Sequence, residues 1–123
     1  MIDLGSALAG LLAVAIVLMG ARYLLDPQPA AAGFGIPGEL GEAVRGPWLA
    51  VKGSRDIAIG VAIALLLIDG AHRQLGCLML AAALVPLADG TIVVRAGGPK
   101  AIAYGVHWTT AALMIADATL LIV

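Results

Sequence analysis

Apolar residues gather along the chain in four blocks, 4–25, 48–68, 75–94 and 101–123, while most of the proline and charge falls between them. Each block matches the roughly 20 residues that a helix needs to cross the hydrocarbon core of a bilayer. The pattern predicts an all-α fold. It is a four-helix transmembrane bundle, antiparallel, forming one domain over residues 1–123 and leaving little chain for anything else. The first block follows "MIDLGS", which carries no basic residue, and its apolar run outlasts the roughly 7–15 residues of a secretory leader. It is expected to remain as a span.

The stretches between the blocks differ in kind. Residues 26–47, "DPQPAAAGFGIPGELGEAVRGP", contain four prolines and five glycines, a density that breaks a continuous helix. A long loop is expected between helices one and two, either a lid whose apolar "FGIP" rests on the membrane surface or a plain tether. "DGAHR" at 69–73 is short and makes its flanking helices antiparallel neighbours. "RAGGPK" at 95–100 is a tight turn in which Gly97 and Gly98 end one helix and Pro99 opens the next. With four crossings, the first and third connections share a side with Arg22, Arg45, Lys52, Arg55, Arg95 and Lys100, and the other side holds only Arg73. Lysine and arginine collect in cytoplasmic loops. Both termini are therefore expected outside the cytoplasm, with the chain in the inner (plasma) membrane of the cell.

Composition strengthens this reading and removes others. Hydrophobic residues make up 62% of the 123 and charged residues 12%, against about 45–50% and about 25% in soluble domains. A formal net charge of −1 gives no basis for nucleic-acid binding. The single cysteine, Cys77, excludes an internal disulfide and a CxxC cluster. Set among leucines in mid-block, it is expected as a small core residue.

Charge inside the blocks changes the picture. "VKGSRDIAIG" at 51–60 carries Lys52, Arg55 and Asp56 within the second block. A charge deep in a bilayer costs from about 3 to more than about 10 kcal/mol, so such residues are functional candidates that need partners. At about 1.5 Å per residue, Arg22, Arg55, Asp56, Asp89 and His107 fall roughly 5–12 Å from the block ends on one side, one or two from each helix. They are expected to share a polar pocket near the cytoplasmic leaflet. Lys52, Arg55, Asp56 and Ile59 have the i, i+3, i+4, i+7 spacing of one helix face. On the last helix Tyr104, His107, Thr110 or Ala111, and Met114 form a similar stripe. Pro86, just ahead of Asp89, frees the carbonyl of Ala82 and is expected to kink its helix. Gly90 admits another backbone, and Gly53 and Gly60 permit close helix packing. Lys52 and Arg22 have a plainer option, because long stems reach the headgroups. Trp48 suits the interface, whereas Trp108 sits deep enough to line the pocket. Asp117 lies on the other side of the bilayer, as an interfacial or packing residue near Arg73 or His72.

The order "R…DP…FGIP…KGSRD…PLADG…H" resembles a family of small four-helix membrane proteins classed as a domain of unknown function, similar in size and topology to DoxX-like proteins. The likeness runs over most of the chain, and "KxxRD" with the later "DG" and histidine is its most specific part. It implies the architecture and marks Lys52, Arg55, Asp56, Asp89 and His107 as a shared polar signature. It implies no reaction. The redox partners linked with DoxX proteins find no counterpart here in a redox-cysteine or haem-ligation motif.

These residues suit a small intramembrane acid–base enzyme of isomerase, cyclase or hydrolase type, acting without a cofactor on a lipophilic small molecule. Arg55 is expected to stabilise a developing oxyanion, while Asp56, Asp89 and His107 exchange protons. Arg22, Lys52, Tyr104 and Trp108 are the expected substrate-binding groups. The same set also suits a proton- or anion-coupled binding or transport component, or a structural membrane subunit whose polar cluster fixes helix register. No inverted repeat of the transporter kind is visible. No metal site is expected, because Arg55 repels a cation, and no phosphate loop, nucleophile elbow or dinucleotide fingerprint occurs. Membrane lipid surrounds the chain. The spacings Ser6–Gly10 and Gly60–Ala64 permit tight pairing, within the bundle or between copies in a homo-oligomer.

Overall fold

The computed structural model describes residues 1–37 and 42–123, the side chains at 42–45 excepted. Among these residues every regular element is helical. Helix α1 spans Ile2–Leu25, α2 Pro27–Phe34, α3 Glu42–Ile68, α4 His72–Ala82 and α5 Leu84–Arg95. A short α6 (Lys100–Ile102) runs through a π-helical turn (Ala103–Trp108) into α7 (Thr109–Ile122). Among the described residues three stretches are long and apolar enough to cross a membrane: Ile2–Leu25, His72–Arg95 and Lys100–Ile122, with mean hydropathy 2.3, 2.1 and 1.3. α3 is longer still, at 27 residues, but Lys52, Arg55 and Asp56 interrupt its apolar run.

The connection expected as a loop contains a helix. Asp26 precedes α2, Pro27 opens it, and Gly35 closes it in the left-handed region at φ 96°. Proline is tolerated in a first helical turn, where its missing N–H has no partner to lose. Two of the prolines behind the loop expectation, Pro27 and Pro29, stand there, and the three alanines after them favour helix. The centre of that connection at 38–41, and the Arg45 side chain counted on its side, lie outside the described residues. α3 starts at Glu42, ahead of its apolar block, and contains Pro47.

Between α4 and α5 the helical path is interrupted at Ala83 (φ −61°, ψ −21°). Pro86 supplies no N–H to the turn before it, and the break falls there. The π turn is marked by Thr109, whose backbone N–H and hydroxyl both reach the Tyr104 carbonyl, the hydroxyl at 2.6 Å. This is the wider reach, five residues back, of a π-helix.

The most extensive packing is α1 on α3, followed by α7 on α4, α5 on the π turn and α7 on α1. Small residues allow it. A Cβ added at Gly20 would stand 2.6 Å from the Gly53 carbonyl oxygen, and one at Gly60 would stand 2.5 Å from the Val17 side chain. Gly60 is thus spent on contacts inside the chain. One apolar cluster joins Ala9, Leu12, Ile63, Leu75, Met79 and Met114. A second joins Tyr23, Ala30, Phe34, Val93 and Ala103. Cys77 belongs to neither. Contrary to expectation it is exposed, because the buried face of α4 is Leu75, Gly76, Met79 and Ala82.

Candidate functional site

Along α1 the first cluster ends at Ala13 and the second begins at Tyr23. A cavity of about 70 Å³ opens between them, lined there by Ile16, Met19 and Tyr23. A space of this size admits a few water molecules or part of a small molecule. Ile59, Val85 and Met114 supply further apolar wall, and Lys52, Asp56, Asp89, His107 and Thr110 the polar groups.

Lys52 organises the polar side. Its Nζ lies 2.9 Å from Oδ2 of Asp56, one turn along α3, and 3.6 Å from Oδ2 of Asp89 on α5. The same ammonium stands 5.0 Å from the centre of the Tyr23 ring and 5.2 Å from that of Phe34, near enough for attraction to both π faces. His107 is buried within the π turn, and its Nε2 lies 2.9 Å from the Phe34 carbonyl oxygen. A carbonyl only accepts, so Nε2 carries the proton and donates it; Nδ1 of the neutral ring is then an acceptor. The Phe34 and His107 rings are 4.6 Å apart at their centres. Through these contacts α2 is held over the site, and a close approach of Gly35 to Gly98 secures its end.

The eight expected site residues divide. Lys52, Asp56, Asp89 and His107 line the cavity. Arg55 does not: it is exposed and forms no ion pair among the described residues. The Gly20–Gly53 contact fixes the rotation of α3. Arg55 lies about 100° round the helix from Asp56, and this turn carries it outward. The cation expected from Arg55 is supplied by Lys52, for which headgroup contact was the plainer expectation. Arg22 lines a neighbouring cavity.

Tyr104 and Trp108 line neither space. Tyr104 is exposed and meets the Trp108 ring edge-on at 4.6 Å. Trp108 Nε1 donates to the Leu87 carbonyl at 3.2 Å, and its indole fills the room left by Gly90, where a backbone was expected. Both share the π turn with His107 but lie outside the cavity lining. An extra residue in one turn rotates the positions before it relative to Thr110 and Met114, which do face the cavity.

Two site residues escaped the sequence reading. Tyr23 follows Ile16 and Met19 at i+7 and i+4, a helical stripe that was open to inspection. Phe34 is the only phenylalanine in the chain, but its position depends on α2 being a helix. Asp117 stands apart. It is fully buried with neither oxygen hydrogen-bonded, and it does not bond to His72, whose Nδ1 is also unpartnered. It lies about 15 Å along the helix from His107.

The family model described as Domain of unknown function (DUF4267) matches residues 13–121, and the chain belongs to this family. The matched region contains all four converging polar residues. No curated protein and no solved structure matches the chain.

Proposed function

We propose that the protein is a small intramembrane enzyme that moves protons on a lipophilic small molecule, of isomerase, cyclase or hydrolase type and independent of a cofactor. The observation that carries this reading is the Lys52 ammonium held between carboxylates of two helices, beside His107, in a cavity whose walls are otherwise largely apolar. Such a cluster is expensive to keep away from water, and here it borders a space instead of closing on itself.

The geometry separates the roles. Asp56, at 2.9 Å, anchors Lys52, while the 3.6 Å contact leaves Asp89 the more available carboxylate. Asp89 is the general base and then the acid. Lys52 stabilises negative charge developing on a substrate oxygen, the part expected of Arg55. In an isomerisation Asp89 takes a proton from one carbon, the electron pair shifts toward the oxygen facing Lys52, and the proton returns at another carbon. His107, pinned through Nε2, presents Nδ1 as a second acceptor.

In this reading α3 is a fourth crossing and the protein is an antiparallel four-helix transmembrane bundle in the inner (plasma) membrane. Both termini face away from the cytoplasm, and the cavity lies near the cytoplasmic leaflet. Pairing of Lys52 with Asp56 and Asp89 lowers the cost of carrying these charges across.

The test is turnover in nanodiscs supplied with a lipid extract of the producing cells and followed by mass spectrometry. Wild type is expected to convert one lipophilic component, and Asp89→Asn to do so at least about 100-fold more slowly with the fold intact. Undiminished turnover by Asp89→Asn, or proton flux in liposomes without conversion of any component, contradicts the proposal.

A further inference from the structure

Beside the Lys52 cavity is a larger one of about 230 Å³, formed by α1 and α2 and lined by Met19, Arg22, Tyr23, Pro29, Ala30 and Gly33. Met19 and Tyr23 also line the inner cavity, so these two side chains border both spaces. Among the described residues Arg22 is the one charged residue in the outer lining. Its guanidinium forms no ion pair among the described residues, not even with Asp26 one turn along. Arg22 is exposed at the edge of this open space; an unpaired guanidinium beside apolar walls favours an anion, and its planar fork fits carboxylate and phosphate oxygens. The inner cavity offers an anion much less: its ammonium already faces two carboxylates, which repel a third negative group.

From this arrangement we infer that the substrate is an amphiphile with a single anionic head, a carboxylate or a phosphate monoester. Arg22 holds the head in the outer cavity while the neutral remainder passes Met19 and Tyr23 to Lys52 and Asp89. The inference rests on the inner cavity being the substrate site. It adds the charge of the substrate and the place where that charge sits.

Binding measured on the full chain in phosphatidylcholine nanodiscs tests it, with dodecanoate, dodecyl phosphate, dodecanol and dodecyltrimethylammonium as probes. The two anions are expected to bind at least ten-fold more tightly than the alcohol or the cation. Arg22→Gln is expected to weaken anion binding at least ten-fold and leave dodecanol unchanged, and Arg22→Lys to recover part of the loss. Asp89→Asn is expected to retain anion binding, which separates failure here from failure of the catalytic reading. Displacement of dodecanoate by phosphatidic acid in the nanodisc would identify a lipid headgroup as the source of the anion; no displacement would identify a free amphiphile. Equal affinity of wild type for dodecanoate and dodecanol overturns the inference without recourse to any variant. So does unchanged dodecanoate binding by a folded Arg22→Gln protein.

Discussion

Lys52 faces two carboxylates, and replacing it with methionine leaves Asp56 and Asp89 opposed inside an apolar wall. Breaking a fully buried ion pair costs about 3–5 kcal/mol. The three side chains keep 25%, 13% and 19% of their surface exposed, and solvent screening brings the expected loss for Lys52→Met to about 2 kcal/mol. It should appear as a lower melting temperature in detergent, recovered in part by adding Asp56→Asn. Arg55→Gln removes an exposed side chain and should shift stability by less than about 0.5 kcal/mol. Equal losses in the two variants would contradict the placement of the cations. Asp117 presents the opposite case, a carboxyl group fully buried without a hydrogen bond. A buried group without partners destabilises the fold that contains it, so Asp117→Asn is expected to keep or raise the melting temperature; a marked fall would reveal a partner. At this scale the residue types of the site were legible, since lysine, aspartate and histidine inside apolar blocks stand out. Which of two neighbouring cations faced inward was not, because Lys52 and Arg55 lie on nearly the same helix face and only the rotation of α3 separates them.

Helix α2 meets the site at Phe34, whose carbonyl and ring both contact His107. The His107 Nε2 bond to the Phe34 carbonyl and the ring contact between these residues hold α2 over the cavity. His107→Phe keeps the ring contact and removes the bond, so amide hydrogen exchange at 30–35 is expected to accelerate several-fold while exchange in the α1–α3 contact stays as in wild type. Uniform acceleration throughout would instead mark His107 as a general fold determinant. Helix α2 was hidden in the sequence by its prolines, which break a helix anywhere but in its first turn. Pro86 was readable for the same reason in reverse: it falls deep inside an apolar block, and the path breaks at Ala83. The π turn has no comparable signature. Tyr104 was assigned to the site on a period of 3.6 residues, which the wider turn upsets, and Trp108 on depth alone, which does not fix the direction of a side chain.

For the molecule as a whole, the proposed orientation predicts the location of its ends. A phosphatase reporter fused after Val123 is expected to be active and a fluorescent protein fused there dark, since the proposed orientation puts the C-terminus outside the cytoplasm; the reverse result would invert the assignment from loop charges. The sequence by itself determined the all-α character, the apolar lengths of α1, α4–α5 and α6–α7, and the similar depth of Asp56, Asp89 and His107. Hydropathy and a constant rise per residue are properties of a single helix, and they can be counted along the chain. Only the tertiary structure decided that Lys52 faces the cavity in place of Arg55, that Phe34 packs beside Lys52 and His107, and that Arg22 lines a second space. Those outcomes depend on how each helix is rotated about its own axis. That rotation is set by its neighbours, through the Gly20–Gly53 contact, the break before Pro86 and the π turn at His107.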